Sequence, residues 1–313
     1  MAASYLNPDD IAEWEFIENE TTFDLTVQGN HNFYLVANSK DILVHNSGKT
    51  SCGLDFALAA AEQGFGVGFF SIEMDSEQLN FRLAAAKTGI KYSDMIKGTL
   101  SDEEFVKIQT ALSAIAKLPI YYYDDPSISQ VDKLSSVATE WCRKRDVKLI
   151  FIDYIQYLQA LKTSTTIVQQ ISAVSMAIKS LQRKLKIPVI ALAQLSRAVE
   201  SRADRRPIME DLRESGQLEQ DASIIIGLFN PDYYLRKGVK LDDELNHNQP
   251  FPERMYCYYM LKSRNGAHYR VDRYADIATN RFSDTDSLGF LPLPEATKHF
   301  MSNESLKNIE PNF

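Results

Sequence analysis

The stretch SGKTSCGLDFALAAA, residues 47–61, decides the fold class because it joins a phosphate-binding pattern to an apolar helix. A Gly-Lys-Thr triplet that opens a helix is the second half of the phosphate loop GxxxxGK[ST]. In such a loop, backbone N–H groups hold phosphates, the lysine reaches the β- and γ-phosphates, and the hydroxyl binds Mg²⁺. Ser47, Gly48, Lys49 and Thr50 are the candidate nucleotide-binding residues, with Thr50 also a Mg²⁺ ligand.

The first half of this phosphate loop is missing. Its first glycine should lie five residues before Gly48, where the chain has Leu43. A bare Gly-Lys-Thr is common, so the triplet alone is a weak signal. If the site is real, the front half of the loop and the strand leading into it must come from elsewhere.

Two carboxylates follow apolar stretches and strengthen the nucleotide-site interpretation. Residues 149–153, LIFID, predict a strand that ends in Asp153, where a parallel sheet can present a carboxylate to Mg²⁺ and its water. Residues 69–74, FFSIEM, predict a second strand that ends at Glu73, which could deprotonate the attacking water. Either carboxylate alone is more often a solvated strand end; together with Lys49 and Thr50 they indicate an ATPase.

Apolar strands alternate with helical stretches after residue 49, which predicts an α/β fold with a mostly parallel sheet. A small β segment precedes them, and antiparallel strands follow. The predicted strands are 22–27, 33–36, 66–72, 118–123, 148–153, 188–194, 223–229, 255–261, 268–271 and 278–282, and the longest predicted helix is 166–186.

Composition narrows the class of protein. The chain has 313 residues, 44% of them hydrophobic, which suits a folded core. It has no apolar run long enough to span a membrane and no signal-peptide pattern, so we expect a cytoplasmic protein without a membrane partner. A net charge of −8 argues against a general basic coat for nucleic acid, so any such contact must be local. Three scattered cysteines fit buried thiols.

Residues 1–46 resemble the C-terminal end of an intein. The matching blocks are DLTV at 24–27, GNHNF at 29–33 and ILVHNS at 42–47, in the family's order and spacing. An asparagine side-chain amide can attack its own backbone carbonyl and cut the chain after itself, and Asn46 is placed to do so. The hydroxyl of Ser47 could first receive an upstream fragment as an ester.

The remaining splicing residues are acid–base candidates. His45 could protonate the scissile peptide, and His31 could act as an acid or base nearby. The resemblance implies that Asp24 assists the same proton transfers. Since no N-terminal splicing half precedes these blocks, the resemblance implies either a split intein acting with an upstream polypeptide or a fragment of a longer reading frame.

Four later motifs resemble the RecA-fold motor domain of DnaB-type replicative helicases. They are SIEM at 71–74, FIDYIQ at 151–156, ALAQLSR at 191–197 and DLRESG at 211–216, the last continuing to EQDA at 219–222. The resemblance implies ATP and Mg²⁺ as cofactors, single-stranded DNA as a partner, a homohexamer after splicing, and a primase or loader. The family's N-terminal part should lie on the upstream polypeptide.

The resemblance also implies roles for residues outside the phosphate loop. Gln194 would sense the γ-phosphate, and Lys262 with Arg264 would reach the ATP of a neighbouring subunit. Another set, on a loop, would hold the DNA backbone through amides and one arginine. That set is Arg213, Glu214 and Gly216.

These patterns predict three segments and leave three functional interpretations open. The segments are an intein end at 1–46, a helicase ATPase domain at 47–283 that lacks its first strand, and a polar tail at 284–313. The first interpretation is a replicative helicase active after splicing restores the loop. The second is a splicing precursor that is inactive as a motor, and the third is another RecA-like ATPase.

Overall fold

The computed structural model describes the backbone of residues 34–37, 40–43, 48–125, 129–160, 166–196, 198–243, 249–264 and 270–283. The chain forms two compact units, Met1–Ser47 and Gly48–Phe313. In the first unit, β1 (Tyr34–Ala37) pairs antiparallel with β2 (Lys40–Leu43). The strand predicted at 33–36 is therefore present one residue later, whereas the strand predicted at 22–27 and the splicing residues lie outside the described residues.

The second unit alternates helices and strands as predicted. Among the described residues, no helix is long and apolar enough to cross a membrane. The helices are α1 (Lys49–Glu62), α2 (Ser76–Thr88), α3 (Tyr92–Lys97), α4 (Asp102–Ile115), α5 (Val131–Arg145), α6 (Ile167–Leu185), α7 (Ala198–Ser201), α8 (Gly216–Asp221) and α9 (Pro231–Arg236). The strands are β3 (Gly66–Ser71), β4 (Ile120–Tyr123), β5 (Val147–Asp153), β6 (Val189–Ala191), β7 (Ile224–Phe229), β8 (Asp242–Asp243), β9 (Gln249–Pro250), β10 (Met255–Ser263), β11 (Arg270–Asp276) and β12 (Arg281–Ser283).

A four-stranded parallel sheet forms the centre of this unit, in the order β4-β3-β5-β6. Its strands are those predicted from the apolar runs, although β6 is shorter than the predicted 188–194. The sheet separates two apolar layers because successive side chains of a strand point to opposite faces. Val67 and Phe69 pack with α1, α2 and α4, whereas Phe70 packs with α5 and α6.

A second four-stranded sheet is antiparallel, in the order β12-β11-β10-β7. The predicted antiparallel strands are present with shifted bounds, and β7, predicted at 223–229 among the strands of the parallel sheet, pairs antiparallel with β10 instead. The strand predicted at 278–282 is wrong in its first half, because residues 277–280 form a turn in which Asn280 has a positive φ of 53°. Of the strand predicted at 268–271, residues 268 and 269 lie outside the described part of the chain.

Helix α1 packs against both sheets. Its residues Leu54 and Ala57 are fully buried in the layer that contains Phe69 of the parallel sheet. On another side of the helix, the Phe56 ring lies 6.2 Å from the ring of Tyr258 in the antiparallel sheet. This position explains why the apolar stretch that begins at the phosphate loop is so rich in leucine, alanine and phenylalanine.

A buried ion-pair network holds the antiparallel sheet to β8. The Arg270 guanidinium donates to both carboxylate oxygens of Asp243, at 2.6 and 2.8 Å, and to Asp272 at 2.8 Å. All three side chains are almost completely buried. Two carboxylates and one guanidinium therefore pair where water is largely excluded, while Oδ1 of Asp272 has no hydrogen-bond partner among the described residues.

Removal of this arginine should destabilise the domain strongly. We expect Arg270→Met to lower the free energy of unfolding by about 3–5 kcal/mol, because two buried carboxylates lose their cation. Urea unfolding followed by circular dichroism would measure it. The matched control is Arg236→Met, whose guanidinium is 81% exposed beside Asp232 and should cost less than about 1 kcal/mol. Equal losses in the two variants would contradict the assignment.

Candidate nucleotide-binding site

The candidate site lies at the carboxyl edge of the parallel sheet. Ser71 at the end of β3 pairs in register with Asp153 at the end of β5. The next backbone amide, that of Ile72, donates to the Asp153 carbonyl at 2.9 Å. This pairing aligns the two strand ends, so that Glu73 and Asp153 reach the same edge, as parallel strands require.

Gly48 forms the turn that starts α1. It has a φ of 68°, a left-handed conformation that favours glycine, and its carbonyl accepts from the Cys52 amide at 2.9 Å. A Cβ atom at this position would also collide with the hydroxyl of Tyr256. The glycine of the phosphate pattern is therefore required by the backbone and by the close approach of β10.

Thr50 and Asp153 are in direct contact. The Thr50 hydroxyl donates to Asp153 Oδ2 at 2.7 Å, although the two residues are 103 positions apart. Asp153 is only 1% exposed, and its second oxygen, Oδ1, is buried without a hydrogen-bond partner among the described residues. Burial raises the pKa of Asp153, while the Thr50 hydroxyl and the charges of Lys49 and Arg82 oppose that rise.

This pair fits a Mg²⁺ ion. Mg²⁺ prefers oxygen ligands and commonly takes one or two carboxylates, with water and phosphate completing its shell. An unsatisfied carboxylate oxygen beside a hydroxyl is such a donor set, and a buried charge needs a partner. Thr50 and Asp153 therefore lie where the sequence predicted the metal ligands.

Lys49 lies near the ring of Tyr154 and interacts electrostatically with Asp153 and Glu73. Its Nζ is 5.8 Å from the centre of that ring. Burial lowers the pKa of Lys49, whereas Asp153 and Glu73 raise it. The ammonium thus faces two acidic groups at the edge where an anionic phosphate would need a cation.

Glu73 is half-buried two residues beyond β3, slightly farther from the strand than predicted. Burial raises its pKa, Asp153 adds to the rise, and Lys49 and Arg82 oppose it. The chain is fixed directly after Glu73, because the Met74 amide donates to Ser71 Oγ and the Asp75 side chain caps α2. A carboxylate held on such a short, capped turn is suited to a proton-accepting role.

Gln194 follows β6 and is fixed through its backbone. The Gln156 side chain donates to the Gln194 carbonyl at 3.0 Å and accepts from its amide at 3.2 Å. Gln156 therefore positions Gln194, a role that sequence reasoning missed. Gln156 lies three residues after Asp153 in the motif FIDYIQ at 151–156, and this position was the signal in the sequence that could have indicated the role.

Lys262 and Arg264 lie near the end of β10 and contact α8 of the same chain. The Lys262 ammonium donates to the Glu219 carbonyl, and the Arg264 guanidinium donates to the Gln220 carbonyl at 3.0 Å. The structure thus places both basic residues on one exposed edge. Their reach to a neighbouring subunit remains a prediction.

A family model described as the DnaB-like helicase C terminal domain matches residues 25–284. The chain belongs to this family. The match also covers residues 25–46, so it lends no support to an intein end, which stays a prediction.

Individual relatives of this DnaB-like chain agree with the family match. The replicative DNA helicase DnaB of Rickettsia typhi is 33% identical over 229 residues, which cover 72% of this chain and 46% of that protein. A solved ATPase domain superposes with a TM-score of 0.67 at 29% identity, covering 76% of this chain and 81% of that one. A DnaB-like replicative helicase, solved in a study of its interactions with primase, has the same TM-score and identity, covering 76% and 55%. The chain spans about half the length of the curated relatives it matches.

Arg82 of this DnaB-like domain was missed in the sequence. It lies on α2 between the buried Leu79 and Leu83, and its guanidinium lies 4.8 Å from the centre of the Tyr92 ring. Its Nε is buried without a hydrogen-bond partner among the described residues. The helical spacing of positions 79, 82 and 83 on one apolar face could have indicated an inward-pointing arginine.

The predicted DNA loop of the DnaB-like domain is a 3-10 helix, Met209–Ser215, that leads into α8 at Gly216. The backbone of Arg213 and Glu214 lies in this turn, and their side chains lie outside the described residues. The loop is anchored by Asp211, which is buried and accepts from both terminal nitrogens of Arg202 at 2.6 and 3.0 Å. Arg202 therefore stabilises the loop.

Proposed function

We propose that this chain becomes the ATP-hydrolysing motor of a replicative DNA helicase when it is joined to the first half of its phosphate loop. The observation that carries the proposal is the contact between Thr50 and Asp153, 2.7 Å apart, beside Lys49. Membership in the DnaB-like family supports ATP hydrolysis. A second support is that the residue types expected of an ATPase lie together at one edge of the sheet. Translocation on single-stranded DNA and unwinding of a duplex would follow from hydrolysis.

The nucleotide half of the mechanism rests on four residues. Thr50 and Asp153 would hold Mg²⁺, and Lys49 would contact the β- and γ-phosphates, with the amides after Gly48 completing the loop. When bound, Mg²⁺ would neutralise charge on the phosphates while the γ-phosphoryl group passes to water and ADP leaves. The pocket's burial strengthens each of these electrostatic contacts.

Glu73 would accept the proton of the attacking water at its carboxylate. Its raised pKa makes it a better proton acceptor than a solvated glutamate, while Lys49 and Arg82 keep the charged form accessible. Gln194, whose backbone is held by Gln156, would contact the γ-phosphate. It would thereby signal to the loop at 209–216 whether the γ-phosphate is present. These roles use groups that lie at one edge of the sheet or directly after it.

The remaining roles need other molecules. Lys262 and Arg264 would complete the site of a neighbouring subunit, which supports a homohexamer as the active form. Arg213, Glu214 and Gly216 would hold the backbone of single-stranded DNA. A primase or loader would bind the assembled ring.

We further propose that protein splicing supplies the missing half of the loop. The support is the order of Asp24, His31, His45, Asn46 and Ser47 in the sequence, ending directly at the phosphate-binding glycine. An insertion at this point would keep the ATPase inactive until residues 1–46 are removed. The partner would be the upstream polypeptide with the N-terminal intein half and the N-terminal helicase part.

Lys49→Ala tests the helicase proposal in the ligated product. We expect DNA-stimulated ATP hydrolysis to fall by about 10²-fold, because one preorganised cation at the phosphates is removed. Release of phosphate with and without single-stranded DNA is the measurement, and unwinding of a forked duplex would separate a helicase from another RecA-like ATPase. The matched control is Lys117→Ala, an exposed lysine after α4. Full activity in Lys49→Ala would overturn the assignment.

A further inference from the structure

The strands β6 and β7 have sequences of buried central strands but lie at sheet edges. β6 and the residues after it read VIALA, and β7 reads IIIGLF, apolar runs typical of a strand covered on both faces. Yet all of β6 is at least partly exposed, and Ile224 and Ile226 of β7 are 57% and 41% exposed. Among the described strands, β6 pairs only with β5, and β7 only with β10. Neither strand carries the charges or prolines that protect a natural edge.

The handedness of strand connections shows where another strand would fit. The connection from β3 to β4 runs through α2 to α4, on the same side of the sheet as α1. Right-handed connections on one side of a sheet step in one direction, so a parallel strand leading through α1 into β3 must lie on the side of β3 away from β4. β5 and β6 already occupy that side. Among the described strands, none occupies the position beyond β6, which is therefore where the further strand would lie.

Helix α1 lies near residues of both outer strands. A Cβ atom at Gly53 would lie 3.1 Å from Leu192, directly after β6, which places this part of α1 over the end of that strand. The neighbouring Cys52 packs with Tyr256 and Tyr258 of the antiparallel sheet, and Leu228 of β7 packs against the same cluster. The first turns of α1 thus lie near residues at the outer strands of both sheets, Leu192 and Leu228.

We propose that the outer edges of β6 and β7 form a strand slot, which binds an extended apolar segment of the upstream polypeptide before the two chains are joined. The segment would run parallel to β6 and end at the turn that meets Gly48. Main-chain hydrogen bonds to β6 would give affinity, and apolar side chains would cover Ile224 and Ile226. This inference rests on the proposed function, since it names the partner surface of the same incomplete loop.

A peptide test addresses the slot directly. The probe is a synthetic peptide with the strand and front half of the phosphate loop of Rickettsia typhi DnaB, labelled for fluorescence anisotropy and added to the full chain. We expect saturable binding and slower hydrogen exchange at the amides of Val189 and Ala191 and of β7. A peptide of the same sequence with alternate amides N-methylated should not bind, because main-chain donors are lost.

Variants of exposed isoleucines provide the matched comparison. Ile226→Lys places a charge in the slot and should weaken peptide binding at least about tenfold, the effect of burying one unpaired charge. Ile167→Lys changes an isoleucine on α6 that is 69% exposed and should leave binding unchanged. Both positions face solvent in the isolated chain, so both variants should fold. Equal binding by the two variants would overturn the slot.

Two further results would also overturn the proposal. In the first, the amides of Val189 and Ala191 exchange slowly without peptide, which would mean that this chain or a second copy already fills the slot. In the second, the Rickettsia segment protects β6 and β7 when fused in place of residues 1–46 but does not bind as a free peptide. Docking would then require the covalent bond.

The slot and the splicing proposal can fail separately. Ligation by the upstream polypeptide at equal rates in wild type and Ile226→Lys would leave splicing intact and exclude the slot. Peptide binding with protection of both edges, in a chain that never ligates, would support the slot and exclude splicing.

Discussion

An Asn46→Ala chain mixed with the upstream polypeptide should give no ligated product. Alanine has no side-chain amide, so the step in which the Asn46 nitrogen attacks its own carbonyl carbon and releases the Ser47 amine cannot occur. We expect wild type to yield a protein that begins its second part at Ser47 and lacks residues 1–46. Intact-mass spectrometry of both mixtures measures the difference, and the loss should be complete.

A matched variant separates loss of the splicing chemistry from loss of folding. Asn38→Ala removes an amide from the same segment, away from the splice junction, and should ligate like wild type. In Asn46→Ala, the upstream fragment could still reach the Ser47 hydroxyl, so a branched ester that hydroxylamine cleaves is an expected species. A ligated product from Asn46→Ala would refute the assigned role. Wild type that never ligates would refute splicing while leaving the DnaB-like family assignment intact.

Glu73→Gln should reduce ATP hydrolysis by the ligated product by about 10³-fold, within the usual range for loss of a general base. The amide keeps the size of the side chain but cannot accept the proton of water. Nucleotide affinity should change little, because Lys49, Thr50 and Asp153 are untouched. Single-turnover phosphate release measures the chemical step, and titration with a fluorescent nucleotide measures binding.

Glu77→Gln is the matched control, since Glu77 is exposed in the first turn of α2, four residues after Glu73. Its ATPase activity should equal that of wild type. If Glu73→Gln instead weakens nucleotide binding and leaves the rate at saturation unchanged, Glu73 contributes to affinity and is not the proton acceptor. A different carboxylate at the sheet edge would then have to serve.

The strands of the parallel sheet were predictable because continuous apolar runs report burial on both faces. The runs ending near Ser71 and Asp153 became β3 and β5 almost unchanged. The bounds of β6 and of the strands after residue 255 were less accurate, because turns there depend on single residues such as Asn280 with its positive φ. The spacing of apolar residues does not indicate the backbone conformation of a single turn residue.

The candidate site was predictable in part, for a similar reason. Lys49, Thr50, Glu73 and Asp153 lie in short local motifs whose residue types are set by phosphate and metal chemistry. Arg82 and Gln156 lie in local patterns too, but those patterns do not show that Gln156 contacts Gln194, 38 residues away, or that Arg82 lies over the ring of Tyr92. Arg202 lies in a stretch that alternates basic and acidic residues, and only its bidentate contact with Asp211 reveals that it supports the loop.

The sequence by itself determined the α/β class and the second half of a phosphate loop, because these are written in consecutive residues, whereas the intein-like end at 1–46 stays a prediction. Only the tertiary structure decided that Thr50 meets Asp153 and that, among the described strands, the apolar strands β6 and β7 are the last strands of their sheets. Hydrogen bonding between strands and the handedness of their connections join residues that are far apart in the chain. The sequence predicts which segments are buried. Which strands lie beside each other is decided only when the whole sheet assembles.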